Sequence, residues 1–248
     1  MLCDRSMISS HFCMGFIMAN IYFPAPSNEY AKMKPSTSFY WVIIASVIGF
    51  AVPAVFSSLL QLERSLFLIP YVVTIGAFLV YFFRASGLPL SLFGRRWALG
   101  LIGAAVFGFY VVQNVLGQPG SETPVGLELA WALLWFGVVY GLVDALFLNV
   151  VPVLIVGAMG HARSSRTELA FRGLLGIAAS AVIAGAYHFG YAEFRGLSLL
   201  APVFGNALLT VSFLLTRSPL APIGAHIAMH VAGVLHGMET VVQLPPHY

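Results

Sequence analysis

The sequence predicts an all-α, polytopic membrane protein with about seven transmembrane helices. Of its 248 residues, 59% are hydrophobic and only 8% are charged, and the mean hydropathy is +0.90. Soluble globular domains have a different composition, with about 25% of their residues charged. A helix needs about 20 mostly apolar residues to cross the hydrocarbon core of a bilayer. Seven stretches are candidates for such spans: Phe39–Gln61, Ser65–Phe83, Trp97–Gly117, Leu127–Ala158, Gly173–Tyr191, Leu197–Thr216 and Leu220–Gln243.

The basic residues are distributed very unequally between the two predicted sides of the membrane. If the N-terminus is cytoplasmic, the cytoplasmic segments hold ten of the 12 lysines and arginines, and the outer loops hold only Arg64 and Arg195. This is the positive-inside pattern of multi-pass proteins. We therefore predict a cytoplasmic N-terminus, and we expect the membrane to be the plasma (inner) membrane of a prokaryote. Because this pattern accounts for the net charge of +3, the composition gives no reason to expect a nucleic-acid partner.

The chain divides into three predicted parts. Residues 1–38 are expected to form a loose extension, whose two cysteines indicate neither a disulfide framework nor a thiolate metal site. Residues 39–126 hold three apolar spans, and we predict that they form a scaffold of closely packed helices. Residues 127–248 hold the fourth to seventh spans, which contain more polar residues. The fourth stretch is too long for one simple span, and we expect it to bend or break near Asn149 and Pro152.

Four ionisable residues of these last spans are candidates for a buried site: Asp144 in the fourth, His188 in the fifth, and His226 and His230 in the seventh. Such residues are costly in hydrocarbon, so we expect them to face the interior and to mark a functional site. Imidazole and carboxylate groups are common ligands of zinc and similar metals. Asp144, His188 and His226 therefore predict a divalent metal site with one open position. The alternative is a hydrogen bond between Asp144 and a histidine, which would offset the cost of burying both.

The predicted depths of these residues in the membrane differ. At 1.5 Å per residue, His188 lies about 22 Å from the inner end of its span. His226 and His230 lie on one helix face, about 9 Å and 15 Å from the start of theirs. Asp144 is expected near mid-membrane. His230 fits the depth of His188 better than His226 does, so both histidines of the seventh span remain candidates.

These residues resemble the motifs of the CPBP intramembrane proteases, which include type II CAAX prenyl endopeptidases and bacteriocin-processing or immunity proteins. Members of that family carry Glu-Glu-x-x-x-Arg on one helix, Phe-x-x-x-His on the next, and His-x-x-x-Asn after one more span. In this chain Ala184–His188 stands in the second place, without the Phe, and His226–His230 stands in the third, with His for Asn. By helix order, Asp144 and Asn149 stand in the first place. The similarity covers about residues 141–237.

A second segment, Thr167–Gly173, is locally more similar to the first motif. However, its Glu168 precedes His188 by 20 residues, which is about 30 Å along one helix. These two side chains could not share a metal ion or a water molecule. We therefore prefer Asp144, and we place Glu168 at the cytoplasmic start of a helix.

The resemblance implies an intramembrane endopeptidase that acts on a membrane-associated peptide or protein. It implies that Asp144 is a base or metal ligand, that His188 and His226 activate water or bind a metal, and that His230 donates to the oxyanion. It implies no organic cofactor. Two alternatives remain open at this point. One is a non-catalytic protein of the same fold that binds a partner or confers immunity, since the paired Glu and the Arg are missing. The other is a small transporter with a His/Asp relay.

Overall fold

The computed structural model describes residues 33–159, 165–239 and 241–245, and within them the chain is helical and contains no strand. In this part of the chain six helices are long and apolar enough to cross a membrane, and a seventh apolar helix is shorter. The prediction of an all-α polytopic fold is thus confirmed, and the protein is an integral membrane protein. The helices are α1 Pro35–Leu59, α2 Arg64–Ser86, α3 Trp97–Leu116, α4 Gly126–Gly157, α5 Arg166–Gly190, α6 Leu200–Thr216 and α7 Leu220–His236.

Several helix ends differ from the sequence prediction, and the two at the ends of the bundle have a local cause. Helix α1 begins at Pro35 rather than Phe39, because proline is well suited to the first position of a helix. Helix α7 ends at His236 rather than Gln243. The next residue, Gly237, has φ 115°, a backbone conformation that residues with a Cβ atom rarely adopt. As a result α7 has 17 residues and is about 25 Å long.

The rest of the predicted N-terminal extension, residues 1–32, lies outside the described residues, and so do Cys3 and Cys13. The end of the predicted extension does not form a loose segment. It enters α1 and contacts the end of α4, where the Ser38 hydroxyl donates to the carbonyl oxygen of Ile155 at 3.3 Å. The prediction of a loose chain is therefore wrong for residues 35–38.

Helix α4 is the central helix of the bundle. In its most apolar stretch 78% of the residues are buried, compared with 28–39% in the other long helices of the described chain. It contains two π-helical segments, Leu133–Val139 and Ala145–Val150. The second segment directly follows Asp144 and ends two residues before Pro152. The break predicted near Asn149 is thus a local change of helical pitch, of the kind often found at functional sites.

A network of hydrogen bonds joins α4, α5 and α6 beside this second π-helical segment. The Asn149 amide nitrogen lies 2.9 Å from both Asn206 Oδ1 and Thr210 Oγ1. The Asn206 amide in turn donates to Ser180 Oγ at 2.8 Å. Ser180 donates to the carbonyl oxygen of Leu148 at 2.6 Å. Because polar side chains in lipid must find partners on neighbouring helices, these bonds fix the positions of three helices relative to one another.

Candidate functional site

Two glycines allow α4 and α7 to approach each other closely. A Cβ atom at Gly141 would lie 2.9 Å from Ile227 Cα and 3.1 Å from His230 Cδ2. A Cβ atom at Gly137, one turn earlier, would lie 2.8 Å from Val231 Cγ2. These distances are shorter than van der Waals contact, so larger side chains would push the helices apart. The glycines therefore position the histidine face of α7 against the polar face of α4.

Asp144, His226 and His230 form a compact group between these helices. Their residues are 3%, 4% and 1% exposed, and one ligand atom from each lies within 4.8 Å of the other two. Nε2 of His230 lies 3.7 Å from Oδ2 of Asp144. The two imidazole rings are nearly parallel, with an angle of 12° and a centroid separation of 5.4 Å. The structure thus brings together three of the four site residues that the sequence predicted.

Several polar atoms of this group lack a hydrogen-bond partner among the described residues. They are Nδ1 of His226 and both ring nitrogens of His230, all of which are buried. A buried polar atom without a partner costs about 1–3 kcal/mol. In native proteins an ion or an ordered water is one explanation for such atoms, and a catalytic role is another. The group is therefore chemically suited to a cation that accepts nitrogen lone pairs.

The spacing of the group fits a transition-metal ion. Zinc lies about 2.0–2.2 Å from nitrogen and oxygen ligands, so two ligand atoms of one ion are at most about 4.4 Å apart. The 3.7 Å between His230 and Asp144 is within this limit. The outer bound of 4.8 Å for the whole group exceeds it by less than about 0.5 Å. One carboxylate and two imidazoles also form a known ligand set of catalytic zinc sites.

The structure does not place His188 within this compact group. His188 is half-buried, and its ring packs edge-on against Phe194 with the centroids 5.3 Å apart. Its Nδ1 lies 2.8 Å from the carbonyl oxygen of Ala184. Since a carbonyl oxygen only accepts, Nδ1 carries the proton. Neighbouring residues of a helix point about 100° apart, and on α5 it is Tyr187 that points toward α4.

Four buried tyrosines adjoin the group, and the sequence analysis did not identify them. The Tyr71 hydroxyl, from α2, donates to Oδ1 of Asp144. The ring of Tyr140 lies 4.5 Å from the ring of His230. The hydroxyls of Tyr140 and Tyr191 each lie 2.7 Å from the hydroxyl of Tyr187.

A sequence signal existed for part of this tyrosine cluster. Tyr140 lies four residues before Asp144, which places both on one face of α4. Tyr187 and Tyr191 have the same spacing, and Tyr191 directly follows the end of α5. No comparable signal pointed to Tyr71, because it lies on α2, 73 residues before Asp144. Its contact with Asp144 exists only in the folded bundle.

The other residues compared with the first family motif lie outside the group. Asn149 is buried and bonds to α6, as described above. Glu168 forms an ion pair with Arg172, four residues later, and its backbone nitrogen donates to the Ser165 hydroxyl at 3.2 Å. Glu168 is therefore at the start of α5, at the position in the helix that the sequence predicted.

The chemistry of the site is the main guide to its function. Comparison of the chain with models of protein families, with curated proteins and with solved structures gave no match. The resemblance to the CPBP proteases thus depends on the residue pattern alone. A group of one Asp and two His residues also occurs in many kinds of site. It indicates which ligands the site could bind, but it does not specify a reaction.

The close approach of α4 and α7 can be tested with alanine at Gly141. We expect Gly141→Ala to lower the free energy of unfolding by about 1–3 kcal/mol, because the new Cβ overpacks the contact with Ile227 and His230. Gly76→Ala on α2 is the matched control, since a Cβ there meets no atom within 4 Å. It should leave stability unchanged or raise it by up to about 1 kcal/mol. Equilibrium unfolding in detergent micelles measures both, and equal effects would contradict the packing argument.

Proposed function

We propose that Asp144, His226 and His230 bind a divalent metal ion, zinc or a similar ion, and that the protein is a divergent CPBP-type intramembrane endopeptidase. The observation that carries this proposal is the buried group of one carboxylate and two imidazoles, in which three ring nitrogens have no hydrogen-bond partner within the described chain. The family assignment is supported by the order of the site residues along the helices. The positions of basic residues support a cytoplasmic N-terminus, and the inner membrane of a prokaryote is the proposed location.

The proposed reaction is hydrolysis of a peptide bond in a membrane-associated peptide or protein. A divalent metal with three protein ligands polarises a water molecule so that it can attack a carbonyl carbon near neutral pH. Asp144 would contribute one negative charge, which leaves the loaded site with a net charge of about +1 when both histidines are neutral. That positive charge, in a site shielded from bulk water, favours the negative charge that develops on the substrate carbonyl oxygen.

His188, which follows Tyr187 on α5, is the proposed general base. Its Nδ1–H donates to the carbonyl oxygen of Ala184. Its Nε2 therefore keeps a lone pair, as a general base requires. His230 is a ligand in this proposal and no longer serves as the oxyanion donor that the family resemblance implied. The base and ligand functions are thus divided between α5 and the α4–α7 pair.

A second candidate function is that of a non-catalytic metal-binding membrane protein that recognises a partner. One observation favours it. Asn149 stands where the family has its Arg, and its amide nitrogen bonds to Asn206 and Thr210 on α6 rather than to Asp144. In this candidate the metal would stabilise the bundle, and no peptide would be cleaved.

Metal content tests the proposed ligand set. We expect detergent-purified protein to contain about one zinc ion per chain, and Asp144→Ala, His226→Ala and His230→Ala each to lose most of it, because three ligands are needed to hold the ion. His188→Ala should keep its metal. His236→Ala is the matched control, since the His236 ring bonds to the carbonyl oxygen of Gln118 at the end of α7. Mass spectrometry of the purified proteins gives the metal content.

The ligand set would be wrong if His188→Ala lost the metal and His230→Ala kept it. That result would favour the set of Asp144, His188 and His226 that the sequence predicted. If neither the wild-type protein nor any variant held a metal ion, the proposed metal site itself would be contradicted.

Peptide cleavage tests the proposed reaction. We expect protein reconstituted in liposomes to cleave members of a library of quenched fluorescent peptides with a lipid or transmembrane anchor. His188→Gln should lower kcat by about 10²–10⁴-fold, as for loss of a general base, while its zinc content stays unchanged. A chelator should abolish cleavage, and added zinc should restore it. A wild-type protein that binds zinc and cleaves no peptide would favour the non-catalytic candidate.

A further inference from the structure

We propose that Tyr71 is a positioning residue for Asp144, and that it selects the carboxylate oxygen that binds the metal. This inference rests on the proposed metal site. Tyr71 would hold Oδ1 of the carboxylate through its hydroxyl, so that Oδ2 alone serves as a ligand atom. Asp144 would then bind the ion through one oxygen rather than two.

The two oxygens of Asp144 have different neighbours. Oδ1 accepts a hydrogen bond from the Tyr71 hydroxyl. Oδ2 lies 3.7 Å from Nε2 of His230, on the side of the carboxylate that faces the two imidazoles. A carboxylate binds a metal through one or both oxygens. A donor that already occupies one oxygen favours binding through the other, because two-oxygen binding would have to displace it.

The Tyr71 ring is held firmly enough to impose this choice. Tyr71 is fully buried. Its ring stacks on Phe67, with the centroids 5.8 Å apart, and it packs against Tyr140 at 5.5 Å and Tyr187 at 5.6 Å. These neighbours come from α2, α4 and α5. The hydroxyl is therefore fixed by three helices before any ion binds, and it restrains the Asp144 side chain in advance.

Groups that hydrogen-bond to metal ligands affect affinity without touching the metal. Removing such a partner typically weakens metal binding by about 10–100-fold. The hydroxyls of the other buried tyrosines bond to each other, and the structure gives none of them a hydrogen bond to Asp144. The effect should therefore be specific to Tyr71, and another tyrosine of the same cluster provides the control.

The first test compares Tyr71→Phe with Tyr191→Phe. Each substitution removes one buried hydroxyl and keeps the ring, but only Tyr71 donates to Asp144. Zinc affinity, measured by competition with a chromogenic chelator, should fall about 10–100-fold in Tyr71→Phe and stay close to wild type in Tyr191→Phe. The absorption spectrum of the cobalt-substituted protein should change only in Tyr71→Phe. Equal zinc affinities in the two variants, whether both unchanged or both lowered, would overturn the proposal.

A second test needs no change at Tyr71 and so does not depend on how well that variant folds. The sequence contains only two aspartates, Asp4 and Asp144, so ¹³C-aspartate labelling of an Asp4→Asn protein marks Asp144 alone. The infrared difference between zinc-loaded and zinc-free protein gives the separation of its two carboxylate stretching bands. A separation equal to or wider than that of a free carboxylate is expected for binding through one oxygen, because the hydrogen bond from Tyr71 to the other oxygen reduces the widening. A narrower separation indicates both oxygens and would overturn the proposal.

The failure of this proposal is distinguishable from that of the proposed function. If wild-type protein binds no zinc in the chelator assay, the metal site is wrong, and the role of Tyr71 falls with it. If wild-type protein binds zinc and either test gives the contrary result, the metal site stands and only the role of Tyr71 is rejected.

Discussion

A carboxylate buried among transmembrane helices is stable only if neighbouring polar groups replace the water that it has lost. Asp144 is such a carboxylate, and its partners must come from the helices around it. Its Oδ1 accepts a hydrogen bond from the Tyr71 hydroxyl of α2, and its Oδ2 faces the ring of His230 on α7 at 3.7 Å, which is too far for a hydrogen bond. Because these groups lie on different helices, the surroundings of one side chain connect α2, α4 and α7. Asp144 lies on α4, the most buried helix of the described chain.

The packing of α7 against α3 and α4 places its histidines beside Asp144. On α3, a Cβ atom at Gly103 would lie 2.9 Å from Ala221 Cβ, so α3 and α7 also touch closely. Helix α7 is thus held between small residues of α3 and α4, with His226 and His230 turned toward Asp144. Placing two imidazoles beside one carboxylate concentrates ligand atoms in a site from which bulk water is excluded. A cation would satisfy all three groups at once, and this is the physical basis of the proposed metal site.

The sequence predicted the parts of this arrangement that depend on local periodicity and on the cost of polar groups in lipid. Apolar length identified the helices, and the four-residue spacing placed His226 and His230 on one face. Burial cost identified Asp144 as part of a site. The choice between His188 and His230 depended on helix tilt and rotation, which are set by contacts such as Gly141 against Ile227 and are not encoded in spacing. Tyr71 was missed because an aromatic residue in an apolar span is ordinary until its partner is known.

X-ray absorption at the zinc edge of the wild-type protein, purified in detergent without added metal, tests the central claim most directly. The account predicts about one zinc ion per chain, coordinated only by nitrogen and oxygen at about 2.0–2.2 Å, with the outer-shell scattering of two imidazole rings. A spectrum with sulfur ligands, with one imidazole or none, or with no stoichiometric metal at all would contradict it.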